Sequence, residues 1–481
     1  MALWGAVARA VNSAAAHGAA KQTLPPVLKK LLGQLLLRAW HALWPGRGRG
    51  PALAPSASFR QAFDALLQAD DYHAARSLAA DAVARGAASY EAQLLLGRAH
   101  QKLHDPERAL ECFEVARRMR ADDAELYDFR GSMVQELGRL QEAFADFDRA
   151  LALRPDFPLA RFHRAMARLL AGDFERGWED YELRRLSADH APAAAAVPRW
   201  DGSPLAGRRI LVAREQGLGD EIMFASMLPE LIAAGAHCVV ECDPRLLATF
   251  KRSFPDASIF GTLPGGGLPQ WIPPASVDVT IEAGSLPRLL RPSAADFPRH
   301  DGYLCAEPQR VEQWRQRLAG IGPGLTVGLA WTGGVRRTRR ELRSLSLERL
   351  LPLLQVPGVR FVSLQYTADA RDGIDEFRAR HGIEIHHWSD AIDDYDQTAA
   401  LVGALDLVVS VCTSVVHLGG ALGRPVWVLA PVSPEWRYGF TGETMPWYPS
   451  VRLFRQTDYG DWAPVIARAA LELARHRASG D

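Results

Sequence analysis

Small and large apolar residues return at a spacing of 34 through the first half of the chain. Ala75, Ala109, Ala143 and Gly177 form one row, and Ala79, Phe113, Phe147 and Tyr181 form a second row four positions on. Gly97 and Gly131 recur at the same distance. A small residue followed four later by a large one shares its helical face, which lets two antiparallel helices approach where they cross. From 58 to 190 this predicts roughly four helix-turn-helix units, each burying its apolar face only by stacking on the next. After an alanine- and proline-rich linker at 191–198 the pattern changes. Short strand-like segments centred on apolar residues appear at 209–213, 238–242 and 277–281, then at 325–331, 360–364, 384–386, 406–409 and 425–429, with helical stretches between them. Such alternation predicts strands buried on both faces of parallel sheets covered by helices.

The expected fold class is therefore α + α/β, a helical solenoid followed by two Rossmann-like domains at 199–320 and 321–481. The repeat pattern resembles the tetratricopeptide repeat, whose concave face suits a peptide or protein partner; four repeats that merely brace the next domain are the plainer alternative.

Residues 1–57 are a separate extension. Leu28, Leu31, Leu32, Leu35, Leu36, Trp40, Leu43 and Trp44 repeat at helical spacing opposite Lys29, Lys30, Arg38 and His41. No acidic residue precedes Asp64. This segment reads either as a helix lying on an anionic membrane surface or as a cap for the repeats. A linker rich in Gly, Pro and Arg follows at 45–55.

Over all 481 residues the charges balance, with 56 Lys plus Arg against 56 Asp plus Glu, so nothing calls for a nucleic-acid partner. The five cysteines are scattered, odd in number and form no C-x-x-C pair, which points to a reducing compartment and away from zinc. No apolar run is long enough to span a bilayer. The expected location is the cytoplasm, with the extension as the one link to the inner face of a membrane.

Candidate chemistry gathers where strands end. The stretch 408–427 reads as an apolar strand, the polar turn Cys412-Thr413-Ser414, a helix carrying His417, a glycine stop and a second strand. A helix start after a strand's carboxyl end favours phosphate. Glu215-Gln216-Gly217-Leu218-Gly219-Asp220 likewise follows a strand and opens a helix, its glycines allowing a sharp turn and a close backbone approach. Trp331 ends another strand, with Gly333 and Gly334 beyond it. Five arginines then fall within eight residues, including Arg336 and Arg337. Most of these read as a solvated loop; one or two are expected to reach a cleft, where the planar guanidinium fork suits a diphosphate. Gln365 ends a further strand. Asp394-Tyr395-Asp396 precedes a helix and reads as capping rather than as a metal site.

The segments 215–220 and 408–427, with Trp200-Asp201-Gly202, Ala330-Trp331, Ser363-Leu364-Gln365 and Trp447-Tyr448-Pro449-Ser450, resemble the heptosyltransferase-like glycosyltransferases of the family 9 type. The resemblance covers about 200–475. The chain also resembles bacterial proteins joining tetratricopeptide repeats to such a domain, and O-linked N-acetylglucosamine transferases are similar in layout. The resemblance implies a GT-B arrangement and a metal-independent transfer of sugar from a nucleotide-diphosphate donor to a hydroxyl, with no cofactor. It assigns Asp220 as base, beside an acceptor-side loop of Gln216, Gly217 and Gly219; an N-cap is the alternative role of Asp220. Gly333, Gly334, Arg336, Arg337, Thr413, Ser414 and His417 would hold the diphosphate, with a core histidine as the alternative for His417. Cys412, Gln365 and Trp331 would meet the sugar or nucleoside. Cys412 stands where that family carries Asp. A second function class follows from this departure, a repeat-bearing scaffold with a degenerate transferase domain.

Overall fold

The computed structural model describes residues 57–84, 89–186, 197–263, 276–334 and 339–478. The amphipathic segment at 27–44 and both Arg336 and Arg337 lie outside these residues. The chain divides into two compact units between Asp122 and Asp123.

The first unit holds helices α1 (Ala57–Gln68), α2 (Tyr72–Ala84), α3 (Tyr90–Lys102) and α4 (Pro106–Met119). Ser89 starts α3 by accepting a hydrogen bond from the Ala92 N–H at 3.2 Å, and Asp105 does the same for α4 just before Pro106. Phe59, Phe63, Leu66, Leu78 and Leu95 form its core with the alanines of the repeat. The 34-residue spacing has a direct cause here: a Cβ on Gly97 would lie 2.4 Å from the Phe113 ring, so the two helices touch only because that side chain is missing.

The second unit begins with four more helices, α5 (Ala124–Glu136), α6 (Leu140–Leu153), α7 (Pro158–Ala171) and α8 (Phe174–Tyr181), closed by a 3₁₀ turn at Glu182–Leu186. Gly131 meets Phe147 as Gly97 meets Phe113, a Cβ there lying 2.8 Å from the ring, and Gly177 packs on Leu169. Two sheets follow. The first contains β1 (Arg209–Ala213), α9 (Leu218–Ala225), α10 (Leu228–Ala233), β2 (His237–Cys242), α11 (Leu247–Ser253), β3 (Ser258–Gly261), β4 (Val279–Glu282) and α12 (Leu286–Leu290). Its four strands are parallel in the order β3-β2-β1-β4.

The second sheet is preceded by α13 (Pro308–Ala319) and contains β5 (Leu325–Ala330), α14 (Leu351–Leu354), β6 (Val359–Ser363), α15 (Ala370–His381), β7 (Ile385–His386), α16 (Ser389–Asp393), α17 (Tyr395–Ala404), β8 (Leu407–Val411), α18 (Ser414–Ala421), β9 (Val426–Ala430), β10 (Thr444–Met445), β11 (Tyr448–Arg455) and α19 (Ala463–Ala478). Seven strands run in the order β10-β11-β9-β8-β5-β6-β7, all parallel except β10. Every residue of β8 and β9 is buried, as strands covered on both faces require. Helical repeats followed by two α/β sheets is the expected fold class. Three strands were not legible as apolar runs: β3 is short, β10 has two residues, and β11 carries Pro449, Ser450 and Arg452 among its apolar positions. Trp314 of α13 donates to Gln397 of α17 at 2.9 Å, so the helix before residue 320 packs with the second sheet.

In each sheet the strand order reverses once. The first reverses between β1 and β4, on either side of which the chain runs in opposite directions across the sheet; the second reverses between β5 and β8. Neighbouring strands at such a point send their connections to opposite faces and leave a crevice at their carboxyl ends. Loops 214–217 and 283–285 line the first crevice, and 331–334 and 412–414 the second. Among the described residues no helix is long and apolar enough to cross a membrane.

Candidate active site between two crevices

Nearly every candidate named from sequence lies at one of these two crevices, and the crevices meet. A Cβ on Gly219, in the first turn of α9, would lie 3.0 Å from His417 Cδ2 and 3.2 Å from the Ser414 Cα at the start of α18. Two helix starts therefore touch, one from each sheet. A third tie lies nearby, where Arg252 of α11 grips Asp396 with two N–H groups at 2.9 and 3.0 Å and Thr249 adds a bond at 2.9 Å. Asp394 caps α17 by accepting from the Asp396 N–H at 2.9 Å. Both acids of the Asp-Tyr-Asp run are thus occupied by protein groups.

Asp220 has two partners. Its Oδ2 accepts from the Gly217 N–H at 3.3 Å, a capping geometry, and its Oδ1 accepts from Arg437 Nη2. Arg437 sits in the 3₁₀ turn Trp436–Tyr438 beyond β9 and is largely buried. Burial by itself would lower its pKa, but the neighbouring Asp220 and Glu435 outweigh that and raise it, so the guanidinium stays charged.

On the other side of the junction, Thr413 caps α18 through its hydroxyl, 3.2 Å from the Val415 N–H. Gly333 approaches so closely that a Cβ would lie 2.5 Å from Thr413 Cγ2 and 2.9 Å from the Cys412 carbonyl oxygen. That contact requires glycine. Gly334, at φ 76°, takes the left-handed turn that follows. Arg343, from the arginine run, donates to the Cys412 carbonyl at 3.3 Å and pairs with Glu435 at 2.6 Å. The other carboxylate oxygen of Glu435, Oε2, is buried with no hydrogen-bond partner among the described residues. A buried carboxylate oxygen in that state is costly unless something else supplies a donor.

The remaining donor-side candidates are inside the protein. Cys412 is fully buried, and burial pushes its thiol far above the ordinary range, so it is a neutral small side chain. His417 is buried with Nδ1 3.1 Å from the Tyr448 hydroxyl and Nε2 3.4 Å from that of Tyr438. Burial, then Arg437 and Arg343, hold its pKa well below the usual value, which keeps the ring neutral. Gln365 is also buried. Its Oε1 accepts from the Trp331 and Thr332 N–H groups at 3.1 and 3.0 Å, and its Nε2 donates to the Thr332 carbonyl at 3.2 Å. It ties the end of β6 to the loop after β5. Trp331 packs in the core of the second sheet.

On the first sheet, Gln216 stands at φ 68° and donates to the Tyr181 hydroxyl, while Gly217 is the N-cap position of α9. A cavity of about 20 Å³ lies behind this loop, between Arg214, Glu221, Phe224 and Phe250. It has room for one water and none for a sugar. Glu221 lines it, raised to about 7 by burial, and accepts from Arg214 and from the Asp243 N–H.

Arg437, Glu435 and Tyr438 were not legible as site residues. The available signal was positional: Glu435-Trp436-Arg437-Tyr438 is a charged and aromatic run directly beyond the apolar strand β9, on the carboxyl side where the other candidates lie.

No known protein-family model matches the chain. It is similar to protein FlbA of Caulobacter vibrioides, with 32% identity over 396 residues, 76% of this chain and 64% of that protein. The chain thus spans just under two thirds of that relative's length. Among solved structures it is similar to a glycosyl transferase family 9 protein from Veillonella parvula, at 12% identity over 58% of this chain and 97% of that one, with a TM-score of 0.40. A mutant of the Thermobaculum terrenum O-GlcNAc transferase aligns with 95% of this chain and 92% of its own, at 14% identity and a TM-score of 0.33. Helical repeats leading into two parallel sheets whose carboxyl-end loops meet is the layout of this chain.

Proposed function

We propose that the protein is a glycosyltransferase that moves a sugar from a nucleotide-diphosphate donor to a hydroxyl acceptor on a protein or cell-envelope glycan, with the repeats recruiting the acceptor or a partner. The observation that supports this most is the Asp220–Arg437 pair, which sets a carboxylate from one crevice against a buried guanidinium from the other. Transfer needs both charges at one point, a base for the acceptor proton and a cation for the departing diphosphate.

In this reading the diphosphate lies at the start of α18, near Thr413, Ser414 and the Gly333 and Gly334 N–H groups. Arg437 provides the charge, with Arg336 and Arg337 as further candidates, so guanidinium and N–H groups do the work without a metal ion. An incoming diphosphate competes with Asp220 for Arg437. The displaced carboxylate then takes the acceptor's proton as the acceptor oxygen attacks the anomeric carbon. The bond from that carbon to the diphosphate oxygen breaks, and its electron pair leaves with the nucleoside diphosphate. Glu435 Oε2, without a donor among the described residues, suits a sugar hydroxyl where Cys412 offers none.

The test is calorimetric titration of the full chain with UDP-, GDP-, ADP- and dTDP-sugars in the absence of metal. Binding of one of them, weakened about tenfold to a hundredfold by Arg437→Met, is expected, since charge-assisted hydrogen bonds contribute about 1.5–3 kcal/mol.

One set of observations favours a second reading, a non-catalytic repeat scaffold carrying a degenerate transferase domain. Cys412, Gln365 and His417 are buried, and the two polar ones are fully engaged by the protein itself. Absence of heat and of thermal shift with every donor, for wild type and Cys412→Asp alike, selects this reading.

A further inference from the structure

The last repeat reaches both loops of the cleft. Tyr181, the final residue of α8, accepts a hydrogen bond from Gln216 Nε2 at 2.6 Å. The ring of Tyr181 also meets Trp436 edge-on at 5.6 Å, and Trp178 meets the same indole at 5.2 Å. Arg437 also lies over that indole, its guanidinium 5.1 Å from the Trp436 ring centroid. Three residues beyond Tyr181, Arg184 clasps Glu215 with two N–H groups at 2.6 and 2.9 Å and bonds Ser285 at 2.6 Å. Glu215 in turn accepts from the Gly284 N–H at 3.1 Å. The loops after β1 and β4, which bound the first crevice, are thus pinned together by an arginine of the repeat region.

Gln216 is the point where this matters. Its φ of 68° is a left-handed conformation that a glutamine holds only when its surroundings impose it. The residue directly precedes Gly217, whose N–H caps onto Asp220. The Tyr181 hydroxyl is what the Gln216 side chain bonds in that conformation.

We infer that Tyr181 and Arg184 of the repeat region are positioning residues of the cleft, holding Gln216 and Glu215 in the conformation that sets Asp220 against Arg437. The last repeat is then part of the site and not only a tether for partners. Its effect on donor binding rests on the transferase reading; its effect on loop geometry does not.

Three full-length proteins test this: wild type, Tyr181→Phe, and Tyr181→Phe combined with Gln216→Gly. Phenylalanine keeps the ring contacts and removes only the bond to Gln216. Glycine adopts a positive φ unaided, so it should restore the loop where a general loss of packing would not be restored. Amide hydrogen exchange at 216–221 and 435–438 should rise about five- to tenfold in Tyr181→Phe, the scale of one lost hydrogen bond, and fall back in the double variant. Calorimetry with UDP, GDP and ADP should show affinity weakened about three- to tenfold and then recovered. Unchanged exchange at both loops, or a change that Gln216→Gly does not reverse, overturns the inference. If exchange moves and recovers while none of the three proteins binds a nucleotide, positioning stands and the transferase reading falls.

Discussion

Arg437, in the turn beyond β9, donates a hydrogen bond to the carboxylate of Asp220, in the first turn of α9. The two residues belong to different sheets, and each also serves its own element: Asp220 caps α9, and Arg437 stacks on Trp436. A pair that bridges two sheets can hold them closed or exchange one member for a ligand. The following outcomes distinguish these roles and probe the packing around them.

Asp220→Asn and Arg437→Met should act in opposite directions on donor affinity. Losing the carboxylate removes the resident competitor for Arg437, so a bound nucleotide sugar should be held as tightly or up to about tenfold more tightly while transfer is lost. Losing the guanidinium should weaken binding. Both affinities falling together in folded proteins would make the pair a structural latch.

His417 should give the fold a pH dependence on the acid side. Its folded pKa lies well below the unfolded value, so the unfolded chain binds the extra proton first. Its neutral-ring stability is complete above about pH 6.5 and declines as pH falls toward the lowered folded pKa. Chemical denaturation from pH 7.5 to 5 should show this slope in wild type and a flatter one in His417→Gln. Identical slopes would mean that the ring titrates alike in both states.

Gly219→Ala should destabilise the protein by about 1–3 kcal/mol, the usual range for overpacking a tight contact. The added methyl meets the Ser414 backbone at 3.2 Å, and backbone cannot swing aside as a flexible side chain can. A melting temperature equal to wild type would show that the two helix starts separate without cost.

Glu182 should govern part of the acid limb. It is half-buried, which opposes ionisation, yet Arg184, Ser285 and Arg199 outweigh that and hold its pKa at about 2. A carboxyl depressed in this way contributes stability that is complete above its unfolded pKa, about 4.3, and is lost as pH falls through about 2. Glu182→Gln should therefore lose less stability than wild type between pH 4.5 and 2. Removing the opposing charge is harsher: Arg184→Met takes its two-pronged clasp from the buried Glu215, leaves the half-buried Glu182 with Arg199, and should cost about 3–5 kcal/mol. Equal acid limbs in wild type and Glu182→Gln would contradict the assignment.

What the sequence determined alone is the set of elements and the loops worth watching. A 34-residue return of small and large residues is a local signal, because helix neighbours lie three and four positions apart, and the Gly97–Phe113 and Gly131–Phe147 contacts are its physical content. Apolar runs bounded by glycine turns likewise marked the buried strands and the carboxyl-end loops at 215–220, 331–334 and 412–414. Tertiary structure alone decided which side chains those loops present to one another. Asp220 and Arg437 are separated by 217 positions, a pairing that no periodicity encodes. His417 and Gln365 carry the chemistry of ligand-binding residues, yet their polar atoms are taken by Tyr438 and Tyr448 and by the backbone at 331–332. Spacing along a chain places a side chain on a face; whether that face meets a ligand, a tyrosine or an arginine depends on how separate sheets close on each other.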